Sequence, residues 1–133
     1  MFVEVLMKLV LAVAFSLFSI SLFAETLSGE TCSERTKICA SFQNNMEFTT
    51  KQEGRFNLSL KGNEDAQLVK VDLWMQMGTH GHGSSPLKVT QLAPGKFDVT
   101  KAYFVMKGKW QIRVAYKLGS VEETLIIPVS IKD

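Results

Sequence analysis

The sequence predicts an all-β fold, an immunoglobulin-like antiparallel sandwich of about seven strands. Three observations predict it. Apolar and polar residues alternate with period two through most of the chain, turn signals recur roughly every 8 to 12 residues, and no window of helical period lasts longer than two turns. At 133 residues and 46% hydrophobic, the chain is large enough for one two-layer core and too small for a second domain.

Residues 1–24 read as a secretory signal peptide. Lys8 supplies the positive start, residues 9–23 the apolar stretch, and Ala24 the small residue before the cut. Glu4 is foreign to such a start, whereas Met7-Lys8-Leu9 opens a conventional one, so translation is expected to begin at Met7. A permanent anchor is the rival reading. The apolar run falls short of the ~20 residues a spanning helix needs and no second run follows, so no membrane span is expected after cleavage and the protein is placed in the periplasm or outside the cell.

Cleavage removes one acid and one base, leaving the net charge near the +2 of the whole chain. The lysines are scattered, which implies neither a nucleic acid partner nor an anionic membrane surface. Residues 25–54 form an N-terminal segment of the same globular unit, carrying the only two cysteines, Cys32 and Cys39. In an exported chain this pair reads as a disulfide. Closing so short a loop removes about 2.5 kcal/mol of unfolded-state entropy, enough to pin the segment but not to hold the fold. A thiolate pair that binds copper or exchanges disulfides is the functional alternative, without the usual C-x-x-C spacing.

The sandwich proper is expected over residues 55–133, with 38–42 as a short strand before it. In Arg55-Phe56-Asn57-Leu58-Ser59-Leu60 the apolar residues share one face. From Gln67 onward Val69, Val71, Leu73, Met75 and Met77 fall on one parity, predicting a half-buried strand that enters a Gly-His loop closed by Pro86. Residues 87–92 form the next strand, and Pro94-Gly95 a turn in which Pro presets φ and Gly accepts a positive one. Phe97, Val99, Tyr103 and Val105 then alternate across Lys101. Trp110, Ile112, Val114 and Tyr116 continue the inward parity, Gly119-Ser120 turns the chain, and Leu125, Ile127, Val129 and Ile131 end it. Pro128 cannot donate to a ladder, so this last strand should lie at an edge.

The residues that carry chemistry lie in Trp74-Met75-Gln76-Met77-Gly78-Thr79-His80-Gly81-His82, which holds both histidines and two of the six methionines. Thioether sulfur suits Cu(I), imidazole suits Cu(I) or Cu(II), and the run contains no Asp or Glu to favour a hard ion. Met75, Met77, His80 and His82 are therefore the expected metal ligands, with copper, as Cu(I), the expected ion. His-x-His also accommodates Zn(II) or Ni(II). The plainer explanation is that Met75 and Met77 extend the core face and the histidines stand on an exposed loop. Against it, Gly78, Gly81 and Gly83 give that loop freedom to fold the imidazoles back over the sandwich edge. Met106 is a candidate axial sulfur but primarily a packing residue, as are Trp74 and Trp110, which at most shield the ion. Two histidines without an adjacent acid or serine make no recognisable catalytic set, so no enzyme is expected.

A strand ending in Met-x-Met, the Gly-His-Gly segment, Ser-Ser-Pro, Pro-Gly-Lys-Phe and Phe-x-Met-x-Gly-x-Trp together resemble the YtkA-like and FixH-like domains of bacterial envelope proteins, over roughly residues 55 to 131. The resemblance implies an immunoglobulin-like sandwich and a role in copper handling, with a copper-accepting envelope protein or an oxidase assembly factor as partner. Similar sequences often read Met-Pro-Met, where this chain has Gln76. The expected function is to bind copper and to buffer or deliver it. The alternative is a metal-free module that docks on an envelope complex.

Overall fold

Strand alternation buries one face of each long segment, and two such faces must meet. In the computed structural model, which describes residues 27–132, they meet as two antiparallel sheets. The strands are β1 (Leu27–Cys32), β2 (Cys39–Asn44), β3 (Gly54–Lys61), β4 (Gln67–Met77), β5 (His80–Gly83), β6 (Lys88–Ala93), β7 (Lys96–Ala102), β8 (Gly108–Leu118) and β9 (Val121–Ile131). One sheet has the order β1-β2-β3-β7-β6, the other β5-β4-β8-β9. Lettering β2, β3 and β4 as A, B and C, β5 as C′, and β6 to β9 as D to G gives A-B-E-D facing C′-C-F-G. That is the immunoglobulin strand order, with β1 added outside β2. The expected signal peptide lies outside the described residues, among which no helix is long and apolar enough to cross a membrane.

The core forms where the inward faces interdigitate. Leu73, Val99, Trp110, Ile112, Val114 and Ile127, the residues parity selects for the interior, are all at most 1% exposed. Trp110 anchors one end through edge-on contact with Phe104 at 5.4 Å, and Phe104 meets Phe48 at 5.1 Å. These rings tie the β2–β3 and β7–β8 connections to the core. Pro128 sits on β9, an edge strand as its missing N–H requires.

Parity fails at two places, each for a local reason. A bulge between Leu68 and Lys70 shifts the β4 register, so Val69 is turned out and 52% exposed while Val71 and Leu73 keep to the core. At Lys101 the backbone takes φ +58 and its N–H donates to Glu53 Oε1 at 2.6 Å. That left-handed residue reverses the alternation. Ala102 and Phe104 go inside, and Tyr103 and Val105, expected inside, are 44% and 63% exposed.

Candidate metal centre

The Gly-His segment is a strand, not the flexible loop expected of it. Met77 faces His80 across a two-residue connection, Gly78-Thr79, in which Gly78 has φ +56 and Thr79 does not enter the positive-φ region. A glycine of positive φ at the first central position makes a type II′ turn, whose twist matches that of antiparallel strands. Nothing approaches within 4 Å of a Cβ built at Gly78, so conformation rather than space calls for glycine there.

This turn fixes the register of the four expected ligands. Met77 pairs with His80 and Met75 with His82 across the β4–β5 ladder. Directly opposed residues project to the same face, with Cβ atoms about 4.5–5.5 Å apart. All four side chains therefore leave one face of the hairpin, the face that carries Val71 and Leu73 further down β4. Burial grades along it. Met75 is half-buried against the core, Met77 is 41% exposed, and both histidines are exposed.

Met75 lies against the first residue of β8. A Cβ on Gly108, whose φ is +133, would stand 2.6 Å from the Met75 methyl, so this glycine leaves the space that the thioether fills. Two residues earlier, Met106 packs on the core and its carbonyl accepts the Trp110 indole N–H at 2.9 Å. Trp110 is thus fully buried and engaged, as a packing residue should be.

Trp74 belongs to the opposite face and cannot lie beside an ion held by the four ligands. It lies flat on Gly81, where any Cβ would fall 2.0 Å from the indole. Its N–H donates to Gln76 Oε1 at 3.1 Å, and Gln76 Nε2 donates to the Gly78 carbonyl at 3.0 Å. Gln76 thereby ties the tryptophan to the turn. Arg113 covers the ring, its guanidinium carbon 4.5 Å from the centroid, and reaches both Asp72 oxygens at 2.8 and 2.9 Å. Burial pushes the Asp72 carboxyl up, but the hydrogen bonds and charge of Arg113, helped by Lys70, prevail and hold it below the ordinary carboxylate range. The same hydrogen bonds raise the Arg113 guanidinium against the pull of burial. One face of the hairpin is thus braced by a polar stack while the other presents soft donors.

The opposite end of the sandwich holds Cys32 and Cys39, joined as a disulfide between directly paired residues of β1 and β2. Among the described residues, Glu30, Cys32 and Cys39 bring a carboxylate oxygen and two sulfurs within 4.8 Å of one another. In the oxidised protein both sulfurs are occupied by their mutual bond. The hydroxyls of Ser33 and Tyr116 hold the Glu123 carboxyl below its usual range against an opposing effect of burial, with a lesser contribution from the charge of Arg35. Glu30 escaped the sequence reading, although its place two residues before Cys32 on a strand sets both on one face.

The family model described as YtkA-like matches residues 61–115. Residues 61–115 carry a YtkA-like domain. The match begins at the end of β3 and closes within β8, so it contains the whole β4–β5 hairpin together with the β7–β8 connection. β1, β2, all of β3 but its last residue, the end of β8 and β9 lie outside this YtkA-like segment and complete the sheets. No curated protein matches the chain. Among solved structures, murine CRIg is similar at 15% identity and a TM-score of 0.42, covering 66% of this chain and 92% of its own.

Proposed function

We propose that this protein is exported to the bacterial periplasm and binds one copper ion, as Cu(I), through Met75, Met77, His80 and His82, buffering it or passing it to a copper-accepting envelope protein. One observation carries the reading: the Met77–His80 and Met75–His82 cross-strand pairs gather two thioethers and two imidazoles on one face of an edge hairpin. Such a donor set suits copper, and a hairpin tip lets a partner approach. The small disulfide-bonded β domain supports residence outside the reducing cytoplasm. No catalytic step is part of this reading.

The test compares Met75→Leu/Met77→Leu with His80→Asn/His82→Asn, substitutions that keep approximate size so that folding survives. In competition with a chelator of known affinity, thioether loss should mainly weaken Cu(I), and imidazole loss should weaken Cu(II) at least as much. Affinity should rise with pH in the parent, because a ligating imidazole must be neutral. If both double variants fold and bind both oxidation states like the parent, the copper reading is wrong. The metal-free module that docks on an envelope complex through its sheet or loop then takes its place.

A further inference from the structure

We propose that Cys32, Cys39 and Glu30 form a second, redox-gated metal site, closed while the disulfide is intact and open to a thiophilic ion, Zn(II) or Cu(I), once it is reduced. Three observations carry this. The carboxylate and both sulfurs already lie within 4.8 Å of one another. All three residues point to the outer side of their sheet, with Cys32 and Glu30 exposed and Cys39 partly so, which leaves Cys32 open to attack by a thiolate. And the sulfurs sit on backbone that does not depend on their bond.

That last point decides whether reduction would scatter the ligands. β1 and β2 are paired from Leu27↔Asn44 to Cys32↔Cys39. The connecting loop closes on itself through Ser33 N–H to the Ile38 carbonyl at 2.8 Å and Lys37 N–H to the Ser33 carbonyl at 3.0 Å. Buried Ser33 accepts at Oγ from the N–H groups of Arg35 and Thr36. Thr31 reaches the other sheet, donating to the Ile126 carbonyl at 2.7 Å. Cysteines held opposite each other on such a ladder need only rotate about χ1 to separate their sulfurs to the ~3.8 Å that two thiolates take around a tetrahedral ion with 2.3 Å bonds. Glu30 would supply the third ligand, and the fourth position stays open for water or a group from another protein.

The gating step balances with a dithiol as reductant. One of its thiolates attacks Cys32 Sγ and expels the Cys39 thiolate; its second thiolate then displaces Cys32 from the mixed disulfide. Two electrons pass to the Cys32–Cys39 bond, the reductant leaves as its own disulfide, and the two cysteine protons are released when the ion binds.

The test uses protein carrying Met75→Leu, Met77→Leu, His80→Asn and His82→Asn, so that the copper cluster proposed above contributes nothing and the two proposals fail separately. The protein is reduced with dithiothreitol, freed of reductant without oxygen, and titrated with Zn(II) and with Cu(I) against a chelator, with Co(II) as a spectroscopic stand-in for zinc. The reduced form should stay folded, take up one equivalent, and show a thiolate-to-Co(II) charge-transfer band. The oxidised form should take up none. Cys32→Ser and Cys39→Ser should each abolish the band, and Glu30→Gln should weaken binding by about tenfold or more, at least the loss seen for an outer-shell carboxylate. Unfolding on reduction, absence of uptake by the reduced form, or an affinity indifferent to Glu30→Gln would overturn the proposal.

Discussion

The two ends of the sandwich are built on opposite plans. At one end stands the edge β4–β5 hairpin, its donor face backed by the core and by Gly108 at the start of β8, with the Trp74–Arg113–Asp72 stack on the opposite face. At the other, roughly 35 Å away along the eleven residues of β8, the β1–β2 loop is covalently closed and hydrogen-bonded into the body. Buried Tyr116 donates to Glu123 at 2.6 Å and shares a short hydrogen bond with Thr36. The first end is braced by side-chain contacts alone, the second by a covalent cross-link as well. The difference teaches that the fold can be anchored from one end while the other is left to meet a ligand.

The largest effect would come from removing what the two ends share. Ile112→Asp places a carboxylate at a fully buried position of β8, opposite Leu73 and Ile127. An unpaired buried charge costs several kcal/mol against a typical net stability of about 5–15 kcal/mol. We expect both ends to be lost together, with no cooperative transition in thermal or urea unfolding. A normal transition would show that the central ladder does not unite the molecule.

Next in size is the cross-link. Cys32→Ser/Cys39→Ser should lower stability by about 2.5 kcal/mol, the loop-closure value for so short a segment. It should leave copper affinity unchanged, since the hairpin proposed to hold the ion lies at the far end. Chemical denaturation and chelator competition on the same sample check both halves, and a copper affinity that fell with the disulfide would mean that the ends are coupled.

The sequence exposed the two ends unequally, and the reason is physical. Long alternating runs in β3, β8 and β9 report burial directly, because one face meets the core and the other meets water. Turns were legible where proline or a familiar pair marked them, as at Pro94-Gly95 and at Gly119-Ser120, where Gly119 takes φ +60. Gly78-Thr79 is the same kind of turn, with φ +56, yet it read as part of a flexible glycine loop because β5 is four residues long and two of them are glycine. A strand so short has no period to detect. Recognising Gly-Thr between Met77 and His80 as a two-residue hairpin connection would have paired the four proposed ligands from sequence alone. β1 was missed because its exposed edge position asks for no apolar alternation, and β6, exposed along its whole length, shows only as a run between turns. The reversals at Val69 and Lys101 came from a bulge and a left-handed residue, neither of which composition announces.

A smaller perturbation probes the hairpin itself. Gly81→Ala puts a methyl group where the Trp74 indole lies, only 2.0 Å away. The half-exposed indole must swing off, losing its place under Arg113 and its link through Gln76 to the turn. We expect a cost of about 1–2 kcal/mol, toward the lower end of overpacking effects because the ring can move into solvent. Tryptophan fluorescence should shift red, and copper affinity should fall although no ligand has changed. Unaltered fluorescence and copper binding would show that the stack does not position the donor face.

The smallest expected effect is a pH dependence from the same brace. Asp72 is held below the ordinary carboxylate range by Arg113 and Lys70 despite its partial burial. A carboxyl depressed in the folded state binds protons more readily when unfolded, so its contribution to stability is complete above the unfolded value and disappears as pH falls through the folded one. The pair is bidentate but its side chains are 29% and 32% exposed, so screening limits the contribution to about 1 kcal/mol or less. Stability should therefore decline slightly as acid titrates the carboxyl, and Asp72→Asn should flatten that decline by the corresponding amount. Because Arg113 also covers Trp74, releasing it should free the indole of the hairpin, so the acid change in fluorescence should vanish in the variant. If fluorescence instead follows acid equally in both proteins, the carboxylate is not what holds Arg113 over the ring, and the bracing of the ligand end must come from Gln76 and Gly81 alone.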